Sequence, residues 1–368
     1  MGKKEVIAGT VLAVRDELKP GMPLYPAEDG TPILTNSMLT SARRCWKQTE
    51  YKYVHRLKPK RLGGPLKRGK WVHSLLEEDA KGGDWKALHK KLSAKFEGMF
   101  DEEKVFYGDM PVEIDRIMRS YFWHYKRDTW EYVEVELELT ARLPNGTLLR
   151  IKFDGLIRDQ WGKLWLVDHK THKTLPNLAY RTLDTQSPIY VWVARQNGYE
   201  VEGFIWNYLR WKAPSVPNLL KDGTRLSKSA CDTDYPTLKK AIKDYGLDPA
   251  DYQDWLDRLK AQRYEFGGMQ TSGFFRRDIF ERDPDVIDRM LLSAMRTADS
   301  MNGYDFTEPD AVERTVGRHC QYMCSYTDLC TAELMGHNTK PLLKQNYKVG
   351  DPMSYYHDRV GEDEERGE

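Results

Sequence analysis

Hydrophobic residues in the first third of the chain recur at helical spacing, after a weakly alternating start that prolines interrupt. Residues 1–33 therefore predict a strand or arm followed by a loop. Leu39 and Ala42 lie on one face of a predicted helix whose N-cap is Thr35 or Ser37. The helical pattern covers four segments, at about 35–55, 69–80, 84–99 and 112–130.

From residue 131 the hydrophobic spacing changes from helical to alternating, which is typical of strands. A Pro-Asn-Gly sequence at 144–146 supplies a tight turn between two of these strands. The predicted core contains strands over 131–143, 147–157, 164–170 and 201–210, and one helix over 177–196. A loop over 211–234 and helical patterns over 235–264 and 284–302 follow. This order predicts a compact α/β core.

The pattern divides the chain into six segments. They are an N-terminal arm (1–35), a helical region with a basic loop and an early cysteine (36–130), an α/β core (131–210), a helical insertion (211–303), a C-terminal cysteine cluster (304–343) and a flexible acidic tail (344–368). No stretch approaches the ~20 apolar residues that span a bilayer, and the N-terminus lacks the apolar region of a signal peptide. We therefore expect a cytoplasmic protein without membrane contact.

Basic and acidic residues are nearly balanced, at 57 and 56, but the basic residues concentrate in one segment. Between Ser41 and Lys70 there are eleven Lys or Arg residues and one Glu. Aromatic residues are interleaved with them, and this combination is typical of surfaces that bind phosphates and stack the bases of a single strand. For the aromatic residues a place in the core is the favoured interpretation, whereas for the excess of basic residues we favour DNA binding. The predicted DNA-binding residues are Arg43, Arg44, Lys47, Arg68 and Lys70.

Two carboxylates and one lysine converge at the edge of the predicted sheet. Asp168 and Lys170 are two residues apart at the end of an apolar strand, so their side chains share a face. Asp154 lies on the preceding strand, which the intervening turn places alongside. Carboxylates bind Mg²⁺ or Mn²⁺, and a nearby lysine can position a water molecule or neutralise charge on a phosphodiester. The alternative is a surface Asp–Lys pair at a strand end.

With its neighbours, this constellation resembles the PD-(D/E)XK nuclease superfamily, and in particular its RecB-like branch. The motifs of that branch occur here in order, matched by Gly69, His73, Asp154, Asp168, Lys170, Gln186 and Tyr190. The resemblance implies a restriction-endonuclease-like α/β fold, in which residues 131–210 form the nuclease core and helices flank a mixed central sheet. It implies that His73, Asp154 and Asp168 bind the metal, that Lys170 is catalytic, and that Gln186 and Tyr190 face the active site.

The five cysteines are too few for a disulfide scaffold, but their placement indicates a metal site. Cys320, Cys324 and Cys330 cluster near the end of the chain and, with Cys45, give four thiolates that can hold an iron–sulfur cluster or zinc. The resemblance implies a [4Fe–4S] cluster that joins the N-terminal helix to the C-terminal end. The gap between Cys320 and Cys324 is one residue longer than in the family pattern, so a zinc site is an alternative. Four unrelated thiols are a further alternative. Cys231 has no partner in this pattern.

Three other features have separate interpretations. Glu136 is a candidate ligand, but Glu134 and Glu138 share its face, so we expect a solvated acidic stripe. His169 occupies the variable position of the D-x-K motif, and we expect its side chain to point away from the catalytic face. Residues 274–277, two Phe followed by two Arg, are a hypothetical strand-separating wedge.

The sequence thus predicts a Mg²⁺- or Mn²⁺-dependent deoxyribonuclease, acting as an exonuclease on DNA ends or single strands. One alternative is a structure-specific endonuclease or nickase with the same site, and another is a non-catalytic DNA-binding module that carries the cysteine-bound cluster. A nucleotide-hydrolysing motor is excluded, because the chain has no G-x-x-x-x-G-K-[ST] loop. The resemblance also implies a role in DNA recombination, repair or replication, with a helicase or recombinase as a candidate partner.

Overall fold

The computed structural model describes residues 24–126, 129–227, 231–262 and 272–353. The strands are β1 (Ile33–Thr35), β2 (Leu57–Pro59), β3 (Glu131–Arg142), β4 (Leu148–Arg158), β5 (Leu164–His172), β6 (Val201–Arg210), β7 (Phe275–Glu281) and β8 (Tyr347–Val349). The α-helices are α1 (Asn36–Arg44), α2 (Trp46–Thr49), α3 (Gly64–Ala80), α4 (Trp85–Glu97), α5 (Asp101–Tyr107), α6 (Met110–His124), α7 (Leu178–Thr182), α8 (Gln186–Gln196), α9 (Tyr235–Asp244), α10 (Gln253–Lys260), α11 (Pro284–Asn302), α12 (Arg318–Tyr322), α13 (Thr327–Leu334) and α14 (Lys340–Asn346). A π-helical turn (Glu50–Val54) and two 3₁₀ turns (Pro249–Tyr252 and Pro309–Ala311) are also present.

The central sheet has six strands among the described residues, in the order β1-β4-β5-β6-β7, with β3 also paired to β4. β1 is parallel to β4 and β5 is parallel to β6, whereas the β3–β4, β4–β5 and β6–β7 pairs are antiparallel. The predicted mixed sheet of an α/β fold is therefore confirmed.

Two hydrophobic cores cover the two faces of this sheet. One core joins Met38 of α1 and Ile189 of α8 to Tyr208 of β6. The other joins Leu75 of α3 to Leu209 of β6. Tyr208 and Leu209 are consecutive but enter different cores, because side chains alternate along a strand. Helices therefore flank the sheet on both sides, as predicted, and each fully buried apolar side chain contributes about 1.5–3 kcal/mol.

The helix predicted over 35–55 is interrupted at Cys45, whose backbone is extended (φ −169°, ψ 120°). Thr35 caps its first part by accepting a hydrogen bond from the backbone N–H of Met38, as expected. After the interruption, the backbone N–H of Lys47 donates to the carbonyl of Glu313 at 3.0 Å. The break thus places a backbone donor against a distant segment, which local periodicity does not reveal.

Two more predicted helices are divided in the structure. The helix predicted over 177–196 becomes α7 and α8, because Asp184 accepts a 2.9 Å hydrogen bond from the backbone N–H of Ser187 and stabilises a new helix start. The helical pattern over 235–264 becomes α9, the first 3₁₀ turn and α10, and residues 263 and 264 lie outside the described residues.

β7 lies inside the segment that was predicted to be a helical insertion. It pairs with β6 from Gly203↔Glu281 to Leu209↔Phe275 and completes one edge of the sheet. Phe274 and Phe275 are 5% and 1% exposed. The wedge hypothesis for residues 274–277 is therefore wrong, since both rings are packed in the core rather than available to separate DNA strands.

The boundary predicted at residue 344 falls inside α14. β8 then pairs antiparallel with β2, and the Tyr347 hydroxyl donates a 2.7 Å hydrogen bond to the carbonyl of Ser325. Residues 344–349 therefore belong to the folded C-terminal region rather than to a tail, whereas residues 354–368 lie outside the described residues, as do 1–23 of the predicted arm. No helix in the described part of the chain combines the length and apolar character needed to cross a membrane.

Candidate active site

The candidate site lies where two neighbouring strands of the sheet separate. β3 pairs with β4 along nearly its whole length, so β1 and β5 share the other edge of β4. The β4–β5 ladder ends at the pair Gly155↔Val167. Asp154 and Asp168 are the next residues on the two strands, and the end of the ladder leaves their carboxylates beside each other.

The Asp154 carboxylate reaches across the gap between the strands. Its Oδ2 accepts a 2.6 Å hydrogen bond from the backbone N–H of His169, and its Oδ1 lies 3.5 Å from Nδ1 of His73. Burial acts to raise the pKa of Asp154, but the charge of His73 and its hydrogen bond outweigh burial and hold that pKa well below its usual range. Asp154 is therefore a fixed negative charge at neutral pH.

The Asp168 carboxylate is held from two sides. Lys170, two residues along β5, forms an ion pair with Oδ2, and Nε2 of Gln186 donates a 2.9 Å hydrogen bond to Oδ1. Burial raises the pKa of Asp168, and the neighbouring charge of Asp154 adds to this effect against the opposing effect of Lys170. The two carboxylates thus have pKa values that are shifted in opposite directions, as expected for a close acidic pair.

The side chains of His73 and Lys170 are partly exposed to solvent, at 34% and 32%. Burial lowers the pKa of His73, but Asp154 outweighs burial and raises it above the usual value. The Lys170 ammonium also lies 5.3 Å from the centroid of the Trp206 ring. Both cationic side chains therefore contact a buried carboxylate and can also reach a bound substrate.

Gly69 allows α3 to bring His73 to the sheet. A Cβ at this position would lie 3.0 Å from Oγ1 of Thr171 on β5, closer than most side-chain contacts. A larger residue would press on the Thr171 side chain at the place where α3 packs against β5. The glycine of the G-x-x-x-H pattern therefore has a steric reason in this fold.

The two residues of the Q-x-x-x-Y pattern have different surroundings. Gln186 lies at the first position of α8, and its amide contacts the carboxylate of Asp168. Tyr190, one turn further, is 7% exposed and packs edge-on against Phe204 in the core, with ring centroids 6.1 Å apart. The structure therefore brings Gln186 to a carboxylate of the site, whereas the contact described for the Tyr190 ring is with the core.

His169 contributes to the site through its backbone, which sequence reasoning missed because backbone donors leave no signature in side-chain identity. Its ring lies on the other side of β5, with Nδ1 2.7 Å from Nδ2 of Asn207, and the ring packs edge-on against His73. Burial lowers the pKa of His169 to about 3, so the neutral imidazole accepts a hydrogen bond from Asn207. Asn207 Nδ2 also lies 2.8 Å from the Tyr121 hydroxyl.

Glu136 is not part of a solvated stripe, which corrects the sequence interpretation. A bulge near the start of β3 shifts the register, and Glu136 has a left-handed backbone (φ 56°) between residues that pair with positions 153 and 155. Its side chain is 13% exposed and lies 3.0 Å from Nζ of Lys152. Burial and the charge of Asp154 raise the pKa of Glu136 to about 7.

The donor chemistry of the site fits a divalent cation, because two carboxylates and an imidazole lie around the gap between the strands. Asp154, Asp168 and His73 are the residues that would hold it. In this conformation His73 and Lys170 contact the carboxylate oxygens. Throughout the described ranges, no three His, Cys, Asp or Glu side chains are arranged as a metal-binding group.

The fold brings the early cysteine towards the late ones. Burial raises the pKa of Cys324, and negative charge on Cys320 or Cys45 raises it further, so these thiols lie within electrostatic range. Cys324 and Cys330 pack against the same small hydrophobic cluster. Burial lowers the pKa of Arg314, but its hydrogen bond with Cys330 outweighs burial and raises it. The thiols are close but are not arranged as ligands of one metal among the described residues.

The five predicted DNA-binding residues divide into two groups. Lys47 is 1% exposed and lies 2.6 Å from each of two glutamates, and Arg68 is buried in an ion pair with a glutamate of α6. The prediction is wrong for these two, because their charges are neutralised inside the fold. Arg43 and Lys70 are exposed and Arg44 is half-buried.

A mixed sheet that separates at two aspartates, with a D-x-K pair on one strand, defines an α/β protein of the nuclease class. The sequence profile of the PD-(D/E)XK nuclease superfamily matches residues 34–331, from β1 to α13. The chain belongs to the PD-(D/E)XK nuclease superfamily. Members of this superfamily usually use divalent metals such as Mg²⁺. The predicted restriction-endonuclease-like fold is confirmed.

Distantly similar solved structures include the crystal structure of a "Putative exonuclease" from Eubacterium rectale, with 16% identity and a TM-score of 0.33 over 63% of this chain and 83% of that chain. The crystal structure of the protein SSO0001 has 12% identity and a TM-score of 0.31 over 90% of this chain and 97% of that one. No curated protein matches the chain. The family assignment rests on the profile match alone.

Proposed function

We propose that the protein is a divalent-metal-dependent deoxyribonuclease that acts as an exonuclease on DNA ends or single strands. The observation that supports the proposal is the convergence of Asp154, Asp168 and Lys170 at the separation of β4 and β5. His73 and Gln186 hold the two carboxylates from neighbouring helices. Such a site combines metal ligands with a cation near the position where charge develops during phosphodiester hydrolysis.

Each residue has a distinct role in this proposal. Asp154, Asp168 and His73 would hold a divalent cation, which would supply positive charge near the phosphate oxygens. The Lys170 ammonium positions the attacking water and neutralises developing charge. Gln186 holds the orientation of Asp168, and the backbone N–H of His169 holds that of Asp154. These contacts restrict both carboxylates to one geometry before substrate binds.

A time course on end-labelled linear DNA and on covalently closed circular DNA tests the proposal, with Mg²⁺, Mn²⁺ or EDTA in parallel reactions. We expect metal-dependent loss of linear DNA only, and the position of the released label gives the polarity. Nicking of the circular DNA would show that the protein is an endonuclease or nickase rather than an exonuclease. Absence of cleavage with any metal, while DNA is still bound, would favour a non-catalytic binding module.

We also propose that Cys45, Cys320, Cys324 and Cys330 hold a structural [4Fe–4S] cluster, with zinc as the alternative metal. The proposal is supported by four thiols that two distant segments bring near one another. A metal that links distant segments stabilises the fold, so its loss should lower the thermal midpoint.

Protein purified anaerobically should contain iron and acid-labile sulfide and should absorb visible light, with on the order of one cluster per chain. Cys45→Ser and Cys324→Ser should each lose the metal and unfold at lower temperature, whereas Cys231→Ser should retain it. If the purified protein contains stoichiometric zinc instead of iron, the four cysteines form a zinc site rather than an iron–sulfur cluster. Wild-type protein free of both metals would contradict the proposal.

A further inference from the structure

A polar cleft of about 270 Å³ adjoins the candidate active site. One wall is formed by polar side chains of α1, α2 and the π-helical turn, including Arg44, Gln48 and Lys52. The lining also includes Gln186, whose amide donates to Asp168. The cleft, hereafter the α1 cleft, therefore begins within one side-chain length of the Asp168 carboxylate.

Two cations of the α1 cleft lack an opposite charge. Within the part of the chain that the structure describes, neither Arg44 nor Lys52 forms an ion pair with an acidic side chain. Burial lowers the pKa of Lys52, and the charges of Arg44 and Lys58 lower it further. Like charges held close together and partly out of water are unfavourable unless an anion binds between them.

The amide side chains of the α1 cleft are a second observation that indicates a ligand, separate from the charges of the cleft. Asn36, at the start of α1, is 7% exposed, and its Oδ1 has no hydrogen-bond partner among the described residues. The buried Oε1 of Gln48 also lacks a partner in the described ranges. Buried amides are normally hydrogen-bonded, so a polar ligand or its bound water would satisfy them.

The length of the cleft indicates what kind of anion fits. Asn36 and Arg44 are eight residues apart on α1, which corresponds to about 12 Å at the helical rise of 1.5 Å per residue. Gln48 and Lys52 extend the same polar wall beyond the end of α1. A cleft whose lining carries cations and amides over this distance suits a nucleic acid backbone, along which phosphates follow one another, better than a single phosphate.

We propose that the α1 cleft binds the sugar–phosphate backbone of a DNA single strand next to the scissile phosphate, with Arg44 and Lys52 on internal phosphodiesters. The inference rests on the proposed nuclease function, because Gln186 places the cleft beside the carboxylates that would act on that strand. Arg44 was a predicted DNA-binding residue, whereas Asn36, Gln48 and Lys52 become candidates only when the fold assembles the cleft.

Binding of a fluorescent single-stranded oligonucleotide to the full chain tests the inference, in EDTA so that no hydrolysis occurs. Arg44→Ala and Lys52→Ala should each reduce the slope of log K against log salt by about 0.7, and the double variant by about 1.4. Arg289→Ala and Lys240→Ala, which remove an Arg and a Lys from exposed ion pairs elsewhere, should leave the slope unchanged. Equal slopes for all variants, or no binding by wild type, would overturn the inference.

Gln48→Glu separates ligand binding from folding, since it places a carboxylate of the same size beside two unpaired cations. We expect weaker DNA binding with an equal or higher thermal midpoint, whereas a purely structural role would predict unchanged binding. Lys52→Arg should restore the salt dependence that Lys52→Ala loses.

Oligonucleotides with 5′-hydroxyl and 5′-phosphate ends distinguish the two sources of phosphate. If Arg44→Ala and Lys52→Ala lose equal affinity for both oligonucleotides, the cleft binds internal phosphodiesters. If they lose affinity only for the 5′-phosphorylated oligonucleotide, the cleft binds a terminal phosphate instead. Hydrolysis is measured separately on linear DNA. If wild type cuts DNA but the Arg44 and Lys52 variants bind DNA normally, only the role of the cleft is refuted. If wild type binds DNA through the cleft but never cuts it, only the nuclease function is refuted.

Discussion

Gln186 and Asp168 are 18 residues apart in the sequence and belong to different elements, yet a 2.9 Å hydrogen bond joins the amide of the first to the carboxylate of the second. The same carboxylate forms an ion pair with Lys170. Gln186 also lines the α1 cleft. One side chain therefore connects the carboxylate that would hold a metal with the surface that would hold the strand.

Replacement of Gln186 by Ala should lower the hydrolysis rate by about 10- to 100-fold, because Asp168 loses a contact that fixes its orientation. We also expect a higher Mg²⁺ concentration for half-maximal rate and an unchanged thermal midpoint. Gln253→Ala is the matched control, since Gln253 donates a 2.8 Å hydrogen bond to Asp257 on an exposed helix. A Gln186→Ala variant with wild-type rate and metal dependence would contradict the positioning role.

Replacement of Lys170 by Met should lower the rate constant at saturating DNA by about 10²–10³ or more, because the developing negative charge loses a cation. DNA binding in EDTA should stay within a few fold of wild type. Asp154→Ala should abolish cleavage with the same retention of binding. Lys163→Met serves as the control, since Lys163 pairs with Glu202 at the exposed start of β5. Wild-type cleavage by either variant would show that the site is misassigned.

Glu136 should make the stability of the metal-free protein depend on pH. Its pKa is about 7 in the fold against an ordinary value of 4.5, so between these values the folded state binds a proton that the unfolded state has released. Stability should therefore fall as pH rises from about 4.5 to about 7, by on the order of 1–3 kcal/mol, and level off above.

Glu136→Gln removes this titration, so its free energy of unfolding should fall less over that range, as measured by urea denaturation in EDTA. Glu202→Gln, at an exposed ion pair, should retain the wild-type pH profile. Parallel profiles for wild type and Glu136→Gln would show that Glu136 has an ordinary pKa.

Phe275→Ala should destabilise the protein by about 3–5 kcal/mol, because it leaves a cavity where β7 packs against the helical core. Phe100, which is 78% exposed, provides a control that should change stability by less than about 0.5 kcal/mol when replaced by Ala. Thermal or denaturant unfolding measures both. A Phe275→Ala variant as stable as wild type would show that this ring does not contribute to the core.

Local sequence patterns predicted the residues that carry the proposed chemistry. The two-residue spacing of Asp168 and Lys170 puts both on one face of a strand, and a short turn places Asp154 on the neighbouring strand. Both relationships depend only on strand geometry and on contacts close in sequence. The helix that carries His73 was predictable from its local pattern, whereas the mixed sheet was expected from the family resemblance.

Contacts between distant segments were not predictable. Lys47 was expected to bind DNA, but Glu333, 286 residues away, neutralises it inside the fold. β7 joins the sheet only through β6, from a segment whose neighbours are helical. The backbone N–H of His169 fixes Asp154 without any mark in the sequence.

The sequence by itself therefore determined the α/β class, the four core strands β3 to β6, and the identity of Asp154, Asp168, Lys170 and His73 as the candidate site. Only the tertiary structure decided which basic residues are buried, which strand completes the sheet, and that Arg44 and Lys52 share a cleft beside Gln186. The physical reason is that the period and spacing of residues determine which face of a helix or strand a side chain occupies. The residues that this side chain contacts on other elements depend on how those elements pack together.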